Sequence, residues 1–128
     1  MSLRVVRLGS ARAKGEGLRI GTVRRPPRGV PKEEFASRDF YDTWLPELSP
    51  SQELVTKALH AETDEEWRAF ERAYRKEMST PAARHLIDLL VALSHETDLA
   101  VGCYCEDPAR CHRSILSQLL KDAGADMA

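Results

Sequence analysis

Three short apolar segments of the chain have the composition of β-strands. LRVVRL (residues 3–8) is rich in β-branched residues, LRIGTV (18–23) alternates apolar and polar positions, and LAVGCYC (99–105) is continuously apolar. β-Branched side chains favour strands, and a continuous apolar run of this length is typical of a strand buried on both faces. The pattern therefore predicts two strands early in the sequence and one near its end.

Helices are predicted between the second and third strands, where three segments open with a capping residue and continue with apolar residues at helical spacing. The first is predicted to begin at Ser49–Gln52, with Pro50 at the first helical position. The second opens with a capping box at Thr63–Glu66, and the third covers residues 80–94. The middle of the chain is therefore expected to be helical.

The aromatic residues of this region give further expectations. FASRDFYDTWLPEL (35–48) is predicted to form a short helix or an extended piece that buries its aromatic side chains, Trp44 among them. The aromatic residues from Trp67 to Tyr74 recur at helical spacing, which favours a place in the core over a stacking platform for bases. His85 is expected to be a core or boundary histidine of the third helix.

A fourth helix is predicted after the third strand, because the residues from Ile115 to Leu120 form an apolar stripe and Gly124 is a typical stop. The order of the elements favours an α/β fold, with a small, largely parallel sheet and packed helices in a Rossmann-like three-layer or a two-layer arrangement. The length of 128 residues is that of one domain, so a single α/β domain over residues 1–128 is expected.

The composition is that of a soluble globular protein. Hydrophobic residues make up 42% of the chain and charged residues 30%, and no run approaches the roughly 18 apolar residues of a membrane span. The opening MSLRVVRLGS has no apolar signal core, and an odd number of cysteines in such a chain argues for a reducing compartment. A cytoplasmic protein without membrane segments is predicted.

Charge is distributed unevenly along the chain, although the net charge is only −1. Residues 1–32 contain nine lysines and arginines and one acid, Glu16, so this quarter carries +8, whereas residues 33–128 carry −9. An exposed basic segment attracts phosphate or nucleic acid, but the same charges can instead be cancelled by packing against the acidic remainder. The pattern alone does not choose between these two outcomes.

The segment CYCEDPARCHRS, from Cys103 to Ser114, contains all three cysteines of the chain together with a histidine and two arginines. It runs from the third strand, across Asp107 and Pro108 as a predicted helix start, into the last helix. Ligand sites of open α/β sheets lie beyond the carboxyl ends of strands, where helix N-termini also point. A thiolate in that position is favoured by the helix dipole and by neighbouring arginines.

Three interpretations of this segment remain open. The three cysteines and His112 have the residue types of a zinc site, but the spacing C-x-C-x5-C-H is unusual. Cys111 and His112, as neighbours on a helix, would also diverge by about 100°. Alternatively, one cysteine is a nucleophile or a redox centre whose charge is set by His112, Arg110 and Arg113. In the third interpretation the cysteines only fill small spaces in the core.

These residues resemble the C-terminal signature of the domain of unknown function 488 family (DUF488). In that family a strand ending in cysteine is followed by a Cys-His-Arg triplet that opens the last helix. The residues that carry the resemblance are Cys103, Pro108, Cys111, His112 and Arg113. A second stretch is similar to the small YeaO-like branch of the family, and it comprises Arg24, Pro27, Arg28, Gly29, Val30, Lys32 and WLPELSPSQEL (44–54). The resemblance covers nearly the whole chain.

The resemblance implies a compact α/β fold in which the arginine-rich loop after the second strand faces the Cys-His-Arg segment. Arg24 and Arg28 would then share a pocket with the cysteines, His112 and Arg113. The departures from the family pattern are Val23, Pro26 and Cys105. Because relatives commonly have glutamate in place of Cys105, a metal site that required this cysteine would not be a family property. The family has no established activity to carry over.

The sequence therefore predicts an anion-binding pocket at the strand ends. The leading hypothesis is a small enzyme that acts on a phosphate-bearing ligand such as a nucleotide or a nucleic-acid end. In this hypothesis Cys103 or Cys111 is the reactive thiol and His112 is its proton partner. The predicted anion clamp consists of Arg24, Arg28 and Arg113. The alternatives are a non-enzymatic nucleic-acid-binding or regulatory module and a metal-binding Cys/His site. The sequence does not identify a cofactor.

Overall fold

The centre of the fold is a sheet of four strands that all run parallel. A computed structural model describes residues 1–105 and 111–128 of the chain. The strands are β1 (Leu3–Arg7), β2 (Leu18–Gly21), β3 (Thr43–Trp44) and β4 (Leu99–Cys103). Their spatial order is β1-β4-β2-β3, so the last strand of the chain lies between the first two. The three predicted strands are confirmed, and each ends one or two residues earlier than predicted.

Helices make up most of the remaining regular structure. The elements are α1 (Gln52–His60), α2 (Asp64–Glu77), α3 (Pro81–Ser94) and α4 (His112–Asp122), with 3-10 turns at Lys32–Glu34 and Pro46–Leu48. α2 starts as predicted, because the Thr63 hydroxyl accepts a hydrogen bond from the backbone amide of Glu66 at 3.1 Å. α4 is followed by Gly124 at a φ of +102°, the left-handed conformation expected of its stop.

The predicted start of the first helix is wrong by two residues. Ser51, and not Ser49, is the capping residue, and its hydroxyl accepts a hydrogen bond from the backbone amide of Leu54 at 3.4 Å. The carbonyl groups of Ser49 and Pro50 instead accept hydrogen bonds from the Arg24 guanidinium, which comes from the loop after β2. This distant arginine holds the Ser49–Pro50 segment outside the helix.

Among the described residues, the helices cover one face of the sheet and loops cover the other. Ile20 of β2 and Val101 of β4 belong to the main core, together with Leu116 of α4 and other apolar residues of the helices. On the opposite face the sheet meets a loop so closely that a Cβ added at Gly21 would lie 2.4 Å from the Tyr41 ring. The α/β prediction is confirmed, and of its two alternatives the two-layer arrangement is the one observed.

Two predictions about burial are wrong. Trp44 is 39% exposed, because it lies in the edge strand β3, where its indole Nε1 donates a hydrogen bond to the Val23 carbonyl at 2.7 Å. His85 is exposed on the outer side of α3. The aromatic stripe of α2 does lie in the core: Phe70 and Tyr74 are buried.

Parts of the prediction concern positions outside the described residues. The helix start at Asp107 and Pro108 is one of them, and Arg110 is another. Among the helices of the described part, none has both the length and the apolar character needed to cross a membrane. The cytoplasmic location stays a prediction.

Candidate functional site

An apolar pocket of about 390 Å³ lies at the carboxyl edge of the sheet, beyond β2 and β4. Its lining residues are Val23, Arg24 and Arg25 after β2, Pro50, Gln52, Val55 and Leu59 in and before α1, Cys103, Tyr104 and Cys105 at the end of β4, and His112 of α4. After β2 the chain continues to β3, which lies on the side of β2 away from β4. After β4 it forms α4, which packs in the opposite direction, against β1 and β4. The crevice between two such diverging connections is where open α/β sheets bind ligands.

Two cysteines meet beside this pocket. Cys103 is the last residue of β4 and Cys111 is the N-cap of α4, both are buried, and their sulfur atoms are in direct contact. Their Cα atoms are 7.9 Å apart. A disulfide bond cannot span Cα atoms separated by more than about 7 Å unless the backbone moves. The backbone therefore positions these residues as two thiols directed at a common point.

The imidazole of His112 is held in a single orientation. Its Nε2 lies 2.7 Å from the Thr22 carbonyl oxygen. A carbonyl oxygen only accepts hydrogen bonds, so Nε2 carries the proton and Nδ1 presents its lone pair. Nδ1 lies 3.9 Å from the sulfur of Cys111. The ring is also packed edge-on against Tyr74, with 5.6 Å between ring centroids.

Burial lowers the pKa of His112 to about 4, with the Thr22 carbonyl opposing the shift and the nearby charge of Arg113 adding to it. The imidazole is therefore neutral at pH 7. A neutral imidazole with a free lone pair can accept a proton or bind a metal ion.

The expectation that Cys111 and His112 must diverge is wrong, because Cys111 is not helical. Its φ of −132° and ψ of 146° are those of extended backbone, so the helical rotation between neighbours does not apply. One ligand atom from each of Cys103, Cys111 and His112 lies within 4.8 Å of the other two. The structure thus brings the three predicted catalytic residues together, and their catalytic role stays a prediction.

The third cysteine is separate from this cluster. Cys105 lies beyond the last residue of β4, is exposed, and lines both the pocket and a smaller cavity beside it. Because β4 ends at Cys103, Cys105 lies outside the strand.

The three predicted anion-binding arginines do not gather in one place. Arg24 lines the pocket, but its guanidinium donates to the carbonyl groups of the Ser49–Pro50 segment at 3.1 and 3.3 Å. Arg28 is exposed in a turn, Arg113 is buried, and neither is among the described lining residues. Arg25, which the sequence did not single out, is exposed and lines the pocket.

Sequence reasoning missed three residues that shape the site. Leu59 is 79% exposed on the pocket side of α1, and its apolar character was the only available signal. Tyr104 donates a hydrogen bond to the Arg25 carbonyl at 2.9 Å, and burial raises the pKa of this tyrosine. Thr22 acts through its backbone carbonyl, so its side chain carried no signal.

The comparisons with known proteins identify a family. The model of DUF488-N3a, described as the active DUF488-N3 subclade, matches residues 3–124. No significant match was found among curated proteins or among solved structures.

Proposed function

The chain belongs to the DUF488-N3a family, and from this premise we propose that it is a small enzyme that acts on a phosphate-bearing ligand, a nucleotide or a nucleic-acid end, bound in the pocket at the carboxyl edge of the sheet. The observation that carries the proposal is the shared lining of this pocket: Cys103 and His112 border the same apolar space as two arginines. The family description calls the subclade active and names no reaction.

The shape and chemistry of the pocket suit a ligand with a flat apolar part and an anionic group. Val55, Leu59 and Tyr104 offer apolar surface for a base, and the volume of about 390 Å³ lies in the range of small-molecule sites. Arg25 is exposed at the pocket and Arg28 follows three residues later, also exposed. Of the two arginines that line the pocket, Arg25 is the one that would meet a phosphate, since Arg24 is engaged with backbone carbonyls, whereas Arg25 donates only its Nε–H, to Gln52 Oε1 at 3.3 Å, in the contacts described.

The reactive groups lie on the inner side of the pocket. Cys103 borders the ligand space and Cys111 stands behind it, with the lone pair of His112 directed at the sulfur of Cys111. In the proposed mechanism one thiol is the reactive group and His112 is its proton partner.

Ligand binding is expected to depend on Leu59. We would titrate the protein with nucleoside 5′-monophosphates and with a 5′-phosphorylated single-stranded oligonucleotide by calorimetry. Leu59→Asp puts a charge into the apolar lining and should weaken binding about 10-fold, equivalent to about 1.4 kcal/mol. Leu89→Asp is the matched control, because Leu89 is an exposed leucine of α3 and does not line the pocket.

An enzyme and a binding module differ in what Cys103 does. If the protein is an enzyme, Cys103→Ser should retain ligand binding and lose product formation. Product formation is measured by mass spectrometry of the incubated ligand. The proposal is wrong if none of these probes binds, or if Leu59→Asp and Leu89→Asp bind alike. Binding that persists without any turnover would favour the alternative, a non-enzymatic nucleic-acid-binding or regulatory module.

A further inference from the structure

We infer that Cys103, Cys111 and His112 bind a single Zn²⁺ ion through two thiolates and one imidazole, and that the fourth coordination position faces the apolar pocket. This inference rests on the proposed function and revises its chemistry: with zinc bound, the two thiols and Nδ1 of His112 would be ligands, and a water molecule on the ion would replace the thiol as the reactive group. Thiolate and imidazole are the ligands that zinc takes in proteins, and three protein ligands with one open position are typical of catalytic zinc.

The first argument is the convergence of three ligand atoms from two pieces of backbone, the end of a strand and the start of a helix. Cys103 ends the central strand, Cys111 precedes a helix in extended conformation, and His112 opens that helix. Their ligand atoms lie within 4.8 Å of one another. In a tetrahedral centre with zinc–sulfur bonds of about 2.3 Å, ligand atoms are separated by about 3.5–3.8 Å. Rotation of the two cysteine side chains away from mutual contact makes room for the ion.

The second argument is the orientation of the imidazole. Ligand histidines in metal sites donate the N–H of their other ring nitrogen to a carbonyl or a carboxylate, which fixes the tautomer. Nε2 of His112 makes this bond to the Thr22 carbonyl at 2.7 Å, and Nδ1 faces the sulfur of Cys111. The support for a metal-bound imidazole is therefore built from a residue of the β2 loop, ninety positions away in the chain.

The third argument concerns the pair of thiols. A structural disulfide is disfavoured by the Cα separation of 7.9 Å between Cys103 and Cys111. The sulfur atoms of two buried cysteines and the lone pair of Nδ1 of His112 are thus three electron-pair donors that face one another. A dication shared by two thiolates would neutralise their charges, which is the condition for burying them.

The fourth position distinguishes an open site from a closed one. Cys103 and His112 line the pocket, and Cys111 and His112 line a smaller cavity of about 100 Å³ beside it. The ion would thus be accessible from the ligand space. Cys105 is the one further thiol of the chain, and it is exposed and lies outside the three-residue cluster. A water molecule or the ligand itself would take the open position.

The test uses the full chain, stripped with a chelator, kept reduced, and titrated with Zn²⁺ in competition with a chromophoric chelator. We expect a stoichiometry of one ion per chain. Cys103→Ser, Cys111→Ser and His112→Ala should each weaken binding by at least about 100-fold, because each removes a protein ligand. Cys105→Ser is the matched control and should bind zinc like the parent chain.

Cobalt(II) provides a readout that needs no variant and no activity. In the reduced parent chain it should give the intense visible absorption of a four-coordinate site and a thiolate-to-cobalt band in the near ultraviolet. The inference is overturned if zinc does not bind with a stoichiometry near one, if cobalt lacks these bands, or if the three ligand variants bind like the parent. Loss of zinc in Cys105→Ser would overturn the open fourth position.

Failure of the inference and failure of the proposed function give different results. A chain that binds zinc and none of the nucleotide probes retains the metal site and disproves the proposed function. A chain that binds a nucleotide in a Leu59-dependent manner and does not bind zinc retains the pocket and disproves the metal site.

Discussion

Arg19 and Glu16 show how a basic residue of the first quarter of the chain is neutralised. The Arg19 guanidinium is fully buried and pairs with the Glu16 carboxylate at 2.8 and 2.9 Å, and it also donates to the Ser10 and Asp39 carbonyls. This hydrogen bonding by Arg19 lowers the pKa of Glu16, against the opposing effect of burial. The pair joins the loop before β2 to the loop that covers the open face of the sheet.

Replacing one member of this pair leaves the other charge buried. We expect Glu16→Gln to lower the free energy of unfolding by about 3 kcal/mol at pH 7, as is typical when one partner of a buried ion pair is removed. The matched control is Glu71→Gln in the partly exposed Arg75–Glu71 pair of α2, which should cost less than about 1 kcal/mol. Urea denaturation measures both, and equal losses would contradict the prediction.

The same pair gives a pH dependence. Because the folded-state pKa of Glu16 is below its ordinary value of 4.5, the carboxylate contributes stability above that pH. That contribution is lost as the pH falls through 4.5 towards the lower folded-state pKa. The free energy of unfolding should therefore fall less steeply with decreasing pH in Glu16→Gln than in the parent chain. An equally steep fall in the variant would show that other carboxyl groups cause the loss of stability in acid.

At the scale of elements, β4 is the strand on which the site depends. It is buried along its whole length and pairs with β1 on one side and β2 on the other. Gly102 precedes Cys103, and its carbonyl accepts hydrogen bonds from the amide and the hydroxyl of Thr22 at 2.9 and 3.0 Å. This contact fixes the residue whose carbonyl orients His112.

Gly102 has no room for a side chain. A Cβ there would lie 2.6 Å from the Val6 carbonyl oxygen and 2.9 Å from the Leu8 side chain. Gly102→Ala should cost about 2 kcal/mol of unfolding free energy, because backbone must shift to accept the methyl group. Gly15→Ala is the control: no atom lies within 4 Å, so only the strain of its positive φ, about 1 kcal/mol, is expected. Thermal and urea unfolding compare the two.

At the scale of the whole molecule, the basic first quarter is only partly available to a partner. All of residues 1–32 are described, and Arg12 pairs with Asp42, Arg19 with Glu16, and Arg24 with backbone carbonyls. The exposed basic residues of this quarter are Arg7, Lys14, Arg25, Arg28 and Lys32. The sequence allowed two outcomes for this charge, and internal neutralisation accounts for a substantial part of it.

This distribution limits how strongly nucleic acid can be held by charge alone. If all five exposed residues contacted phosphates, the logarithm of the affinity for duplex DNA would fall with the logarithm of salt concentration with a slope of about −4.5. Arg25→Gln with Arg28→Gln should make that slope shallower by about 2, and Arg72→Gln on α2 should leave it unchanged. A slope near −8 for the parent chain would show that this account of the charge is wrong.

The sequence by itself determined the features that depend on near neighbours. Alternation and β-branching located the three longer strands, and capping residues located the starts of α2 and α3, because these signals come from residues a few positions apart. The cysteines and His112 were identified as candidate reactive or metal-binding residues for the same reason, because they lie close together in the sequence. The first helix start failed where a distant residue intervened, since Arg24 binds the carbonyls of Ser49 and Pro50.

Only the tertiary structure decided the arrangement of the site. The insertion of β4 between β1 and β2 sets Cys103 opposite the start of α4, and no local pattern specifies that strand order. The tautomer of His112 depends on Thr22, and the separation of Arg24, Arg28 and Arg113 depends on which surfaces the packed helices leave open. These contacts join residues far apart in the chain, and their energies exist only once the sheet and helices have packed together.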